Sequence, residues 1–457
     1  MILCIENYID FRSQKKTINI QTGEKPISNK LAIKASLGLY NFIWKIVIPT
    51  LSINKRLAEG YEQRILNKKL PEADLWIQAA SVGEAYLAIE LIKNLKPEFP
   101  TRVLITTNTK QGLEILERSI VDILKERKEI SISVAYFPFD KPSIMKKAVK
   151  QVRPKIMILL ESEIWPGLLY SLKQYGCTII IINGRITEKS LKRYLVWPSL
   201  WYSLRPDKIF AISEKDADRF AELFGSKNVN VMPNIKFDRL GYTENLPHKA
   251  DPIETIITPD TNLIILGSVG RDEETKVEKI ILEILKRQPD IVIGLFPRHL
   301  QRIKFWENAL NRLKIPFILR SNAKTHVRPG TVILWDIFGE LNFAYSHSKA
   351  AFVGGSLAPL GGQNFLEALT SGVIPVIGPY WDNFDWAGNE IVNQGLVRIA
   401  SDWKQVADTL IEDTKKPALH EDVRKKALLY LKSHQGGTAQ LCTIIKEILN
   451  IKYKELS

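Results

Sequence analysis

The stretch Leu75-Trp76-Ile77-Gln78-Ala79-Ala80-Ser81-Val82-Gly83-Glu84 decides the fold. It opens as an apolar strand-like run and closes as a small, donor-rich turn with a carboxylate at the start of a helix. A second stretch repeats the pattern: Ala350-Ala-Phe-Val-Gly354 runs into Gly355-Ser356, then Gly361-Gly362-Gln363-Asn364-Phe365-Leu366-Glu367. A glycine turn at a helix N-terminus lets backbone N–H groups approach an anion, and the helix dipole favours negative charge there. Two such sites in separate halves predict two Rossmann-like, doubly wound α/β domains facing each other across a cleft. That architecture suits group transfer from a nucleotide.

Outward from these stretches, strand and helix patterns alternate. Val103–Thr107, Ile132–Phe137, Lys155–Leu160, Thr178–Asn183 and Asp207–Ser213 continue the first series. Leu263–Ser268, Ile291–Pro297, Phe317–Leu319, Val332–Trp335, Ala350–Gly354 and Ile374–Gly378 form the second. Near-continuous β-branched runs predict strands buried on both faces, as in parallel sheets covered by helices. The expected partition is a polar extension over 1–36, a membrane-associating segment over 37–60, a first domain over 61–238, a linker over 239–262 and a second domain over 263–457. Asp422–Lys454 predicts helices broken at Gly436-Gly437.

The 457 residues carry a formal charge of +14 and a pI near 9.4, so the chain favours anionic surroundings or presents a lysine-rich solvated surface. It carries no evident motif of the usual RNA-binding modules, and no nucleic-acid partner is expected. Cys4, Cys177 and Cys442 are scattered, match no metal spacing and fit a reducing cytoplasm. The first thirty residues are polar and show no signal-peptide pattern. Leu37–Leu51 is apolar and aromatic but interrupted by Asn41, Lys45 and Pro49. A span needs about 20 predominantly apolar residues. Tyr40 and Trp44, flanked by Lys34, Lys55 and Arg56, suit a segment lying among lipid headgroups; a short spanning anchor and a helix packed on the domain are the alternatives.

Several side chains fall at strand ends, where ligands of such sheets bind. Glu84, with Ser81 and Gly83 before it, is either a helix cap or a general base toward a hydroxyl. Glu161 and Glu163 beside Trp165 suit a sugar or an acceptor amine, and Arg185 suits an anionic group or an internal ion pair. In the second half Ser268 and Arg298 offer donors to a phosphate. Backbone amides of Gly355, Ser356 and Gly362 would approach an anion, and Asn364 and Glu367 would meet ribose hydroxyls. His299 and His347 have no partner at metal spacing, and no metal or cofactor is expected.

The chain resembles the 3-deoxy-D-manno-octulosonic acid (Kdo) transferases. The resemblance rests on Trp76–Glu84, Tyr136-Phe-Pro-Phe-Asp140, Glu161-Ser-Glu-Ile-Trp-Pro166, Asn183-Gly-Arg185, Phe296-Pro-Arg-His299, Gly339-Glu-Leu341, Phe352–Ser356, Gly361-Gly-Gln-Asn364 and Leu366-Glu367. It implies a GT-B glycosyltransferase held by its N-terminal segment on the cytoplasmic side of the inner membrane. It also implies inverting transfer of Kdo from CMP-Kdo to the lipid A precursor without a required metal. Glu84 then matches the proposed base, Arg298 the phosphate-binding arginine, and Asn364 with Glu367 the nucleotide-contacting pair. The sequence departs from that pattern at Gln78 and Gln363, where the family usually has His, and at Val269, where it has Thr. Gln hydrogen-bonds but carries no proton at neutral pH. The rival readings are a GT-B enzyme or epimerase using another nucleotide sugar, and a silent membrane-binding or nucleic-acid-binding relative. An epimerase has no need of Leu37–Leu51, and the presence of Glu84, Arg298, Asn364 and Glu367 argues against silence.

Overall fold

Two seven-stranded sheets organise the chain, in a computed structural model that describes residues 30–51, 58–239, 251–258 and 260–454. The extension before Lys30, the flanking Lys55 and Arg56, and linker positions 240–250 and 259 lie outside the described residues.

The first sheet is built from β1 (Leu75–Gln78), β2 (Thr101–Thr107), β3 (Ile130–Tyr136), β4 (Ile156–Leu160), β5 (Thr178–Gly184), β6 (Lys208–Ala211) and β7 (Val229–Val231), in the order β3-β2-β1-β4-β5-β6-β7. From β3 to β6 every pairing is parallel. The second sheet holds β8 (Leu263–Val269), β9 (Val292–Pro297), β10 (Phe317–Leu319), β11 (Val332–Leu334), β12 (Ala350–Val353), β13 (Pro375–Ile377) and β14 (Arg398–Ile399), in the order β10-β11-β9-β8-β12-β13-β14. These pairings are parallel throughout. The β-branched runs become central strands: Ile156–Leu160 and Ile179–Ile182 are buried on both faces. Each such side chain contributes about 1.5–3 kcal/mol through burial.

The strand order fixes where a ligand can enter. In the first sheet the chain builds outward from β1 to β3, then returns to β4 on β1's other side. In the second, β8 lies between β9 and β12 and marks the same reversal. Connections on the two sides of a reversal leave the sheet on opposite faces, so a crevice opens at the strands' carboxyl ends.

The N-terminal apolar stretch is part of helix α1 (Lys30–Leu51). Ile33, Leu37, Trp44 and Leu51 are buried on one face, while Leu39, Phe42, Ile43 and Ile46 are exposed on another. The packed alternative therefore describes one side of the helix. Trp44, expected among headgroups, is 2% exposed because it packs against Phe139, with ring centroids 5.8 Å apart. Tyr40 donates its hydroxyl to Asp140 Oδ2 at 3.1 Å, and Ser143 N donates to Asn41 Oδ1 at 3.1 Å. Among the described residues no helix is long and apolar enough to cross a membrane.

The described residues divide into two compact units, one within 1–82, 101–117 and 130–230, the other within 83–100, 118–129 and 231–457. Most of helix α2 (Val82–Asn94) joins the second unit although it follows β1. The cause is the C-terminal helix, Gly437–Lys454: Cys442 Sγ reaches Leu91 O at 3.6 Å, Asn450 Nδ2 donates to Glu98 Oε2 at 2.8 Å, and Tyr453 donates to Pro100 O at 3.0 Å.

Candidate active site

At the end of β1 the Gln78 side chain is fully buried and ties three neighbours together. Its Oε1 accepts from Thr106 Oγ1 at 2.6 Å, and its Nε2 donates to Asn108 Oδ1 at 3.4 Å and Glu163 Oε2 at 3.3 Å. Trp165 Nε1 donates to the same Glu163 oxygen at 2.8 Å. Burial pushes the Glu163 carboxyl above the usual glutamate range, although both donors pull it down. Glu161, one residue past β4, and Asn183, next to last in β5, adopt left-handed φ of 54° and 53°. Such backbone costs a non-glycine residue about 1–2 kcal/mol and clusters at functional edges. Arg185 follows β5 on the same edge. Glu161, Glu163 and Arg185 therefore stand at the ends of adjacent strands.

Ser81 directly precedes α2, Gly83 lies exposed in its first turn, and Glu84 follows with 8% exposure. A carboxylate in that first turn is favoured by the helix dipole. Position supplies both the capping and the base reading.

In the second unit Ser268 and Glu367 share a cavity of 270 Å³ with Arg298. Ser268, next to last in β8, has a left-handed φ of 53°, and the Arg298 backbone is fixed beyond β9 by its N–H to Val269 O at 2.8 Å. Phe296 and Trp335 stack at 4.2 Å with a 17° tilt and form the aromatic part of the lining. Trp335 Nε1 donates to Glu340 Oε2 at 2.9 Å, and Arg320 holds Glu340 through Nε and Nη2 at 2.7 and 3.0 Å. Phe338, 78% exposed, also lines the space. Burial raises the Glu367 carboxyl, opposed by Asn364 and then Arg298; Asn364 Nδ2 donates to Glu367 Oε1 at 2.8 Å. An aromatic surface, a guanidinium, a hydroxyl and a carboxylate in one cavity can receive a base, a phosphate and a sugar hydroxyl.

The glycine turn has a different role from the expected one. Gly355, Ser356 and Leu357 donate their backbone N–H groups to Glu273, the last two at 3.2 and 3.0 Å, and Gly270 adds a fourth at 2.8 Å. Glu273 is completely buried. Ser356 Oγ donates to Val353 O at 2.7 Å, and Gly362 N donates to Gly355 O at 2.7 Å. The anion that Gly355 and Ser356 attract is thus a side chain of the protein, and the Gly362 amide is spent on the turn itself. Gly362 needs to be glycine because φ is 81° and a Cβ would meet Trp381 Cα at 3.1 Å.

Sequence reasoning missed this role of Glu273. Its partners in the turn lie 82–84 residues away, so no local pattern marks it. It also missed Trp335, Ile337, Phe338 and Asn342 as lining residues; the aromatic cluster beside Gly339-Glu-Leu341 was the available signal. Among the described residues no group of three or more His, Cys, Asp or Glu is arranged to hold a metal.

Residues 53–239 match the family described as 3-Deoxy-D-manno-octulosonic-acid transferase (kdotransferase). Over 371 residues the chain is 29% identical to the 3-deoxy-D-manno-octulosonic acid transferase of Haemophilus influenzae, covering 79% of this chain and 83% of that protein. The protein of the same name from Rickettsia conorii is 29% identical over 387 residues, covering 82% and 79% respectively. Among solved structures, a glycosyltransferase of Rickettsia africae aligns with a TM-score of 0.55 at 12% identity, covering 83% of this chain and 99% of that one. That last likeness concerns the fold alone.

Proposed function

The chain belongs to the Kdo transferase family, and from that premise we propose that it transfers Kdo from CMP-Kdo to a hydroxyl of the lipid A precursor. The observation that carries this reading is the cavity joining Ser268, Arg298 and Glu367 beside the strand reversal of the second sheet. Arg298 and Ser268 hold the CMP phosphate, the Phe296–Trp335 side of the cavity receives apolar surface of the nucleotide, and Glu367 with Asn364 takes ribose hydroxyls.

Glu84 accepts the proton of the acceptor hydroxyl while that oxygen bonds to the anomeric carbon of Kdo. The bond from that carbon to the CMP phosphate oxygen breaks, and its electron pair leaves with CMP. Arg298 offsets the charge gathering on the departing phosphate, a role this reading assigns to no metal. A single displacement of this kind inverts the anomeric configuration.

The exposed row Leu39, Phe42, Ile43 and Ile46 has helical spacing and supports seating α1 in the cytoplasmic face of the inner membrane, close to a lipid acceptor. The test is incubation with CMP-Kdo and the tetraacyl lipid A precursor, followed by mass measurement of the lipid. A gain of whole Kdo residues with release of CMP is expected. An unchanged lipid, with folded protein and intact donor, overturns the reading.

A further inference from the structure

Away from both strand-end sites, a cavity of 410 Å³ lies between α1, the start of α3 (Pro142–Val152) and α4 (Pro166–Tyr175). Its lining includes Lys34, Gly38 and Asn41 from α1, Ser143 and Lys146 from α3, and Gln174 from α4. Two lysines and no carboxylate face this space. Asn41 spends its oxygen on Ser143 N, which leaves its amide nitrogen as the donor end. The first turn of α3 contains no acidic residue, and its N-cap Lys141 makes no side-chain cap. The local field is therefore positive from both side chains and helix dipole. A Cβ built on Gly38 meets nothing within 4 Å, so the cavity is open at the helix surface.

The helical wheel places this cavity relative to the apolar row. At about 100° per residue, Lys34, Gly38 and Asn41 fall within a sector of about 60°, and Phe42 lies about 40° beyond Gly38. The cavity thus occupies the flank between the packed face of α1 and its exposed row. With that row in the acyl boundary, the flank lies at the depth of lipid phosphates.

We propose that this cavity binds the phosphate of an anionic phospholipid headgroup, a subsite separate from the transfer reaction. The proposal rests on the membrane seat of α1 given above. Its size falls within the range of small-molecule sites, about 300–1,000 Å³.

The test is co-sedimentation of the full chain with vesicles of phosphatidylcholine, alone or mixed with phosphatidylglycerol. Wild type should bind both and prefer the mixture. Each lysine near an anionic surface contributes about 1 kcal/mol, about fivefold, so Lys34→Gln with Lys146→Gln should weaken binding to the mixture about 30-fold. Gly38→Phe keeps both lysines, improves helix propensity and fills the space, so it should remove the preference while leaving phosphatidylcholine binding intact. If Gly38→Phe retains the preference, the lysines act as diffuse surface charge and the pocket is refuted. If wild type binds neither vesicle, the membrane seat fails; equal binding to both refutes the pocket alone. Inorganic phosphate should displace the protein no more than chloride does at matched ionic strength. Selective displacement would assign the cavity to free phosphate and overturn the lipid proposal.

Discussion

Glu163 and Glu273 both follow a strand beside the reversal of its sheet, yet they are held in opposite ways. Glu273 is buried completely and receives four main-chain N–H groups from two loops. Glu163 is half-buried and receives two side-chain donors on one oxygen, with its carboxyl raised by burial. Saturation by backbone turns a carboxylate into scaffold, because moving it would strand several buried amides. A carboxylate held by side chains through one oxygen keeps capacity for another partner. The difference separates residues that shape a site from residues available to work in it.

Glu273→Ala tests the scaffold side most severely. Buried amides left without an acceptor cost about 1–3 kcal/mol each, and partial relaxation should leave a net loss of about 3–6 kcal/mol. Urea unfolding should show that loss as a lower midpoint. An unchanged midpoint would break the comparison.

Glu84→Gln should reverse the pattern, reducing transfer about 10²–10⁴-fold with the unfolding midpoint and CMP affinity nearly unchanged. Near-normal turnover would reduce Glu84 to a helix cap. For Arg298→Ala, loss of a charge-assisted hydrogen bond worth about 1.5–3 kcal/mol predicts roughly 10–100-fold weaker CMP binding by calorimetry. Unchanged CMP affinity would remove Arg298 from the donor site.

The smallest effect concerns pH. A raised folded-state value means that the stabilisation associated with protonated Glu163 is present below the ordinary glutamate value of 4.5 and is lost as pH rises through the raised value. Glu163→Gln should flatten that part of the stability profile, measured by unfolding midpoints above pH 4.5. An unchanged slope would mean that Glu163 titrates like an exposed glutamate.

The strands were legible because burial on both faces demands continuous apolar runs, as in Ile156–Leu160 and Thr178–Gly184. Val229–Val231 and Arg398–Ile399 were not, since these short segments at the sheet edges contain polar residues and no sustained run. Ser268, Arg298 and Glu367 were legible as strand-end or helix-start polar residues, and they line one cavity. The occupant of the glycine turn was hidden because Gly355 advertises an anion without saying which one. Helix α1 was ambiguous for a related reason: apolar residues on both faces satisfy a packed helix and an interfacial helix together.

The return of the C-terminal helix to α2 and the segment after it also bears on synthesis. Cys442 meets Leu91 across 351 residues of chain. At about 5–20 residues per second on a ribosome, Leu91 waits roughly 20–70 s for that partner. Throughout this interval the surface of α2 that will receive Gly437–Lys454 is uncovered.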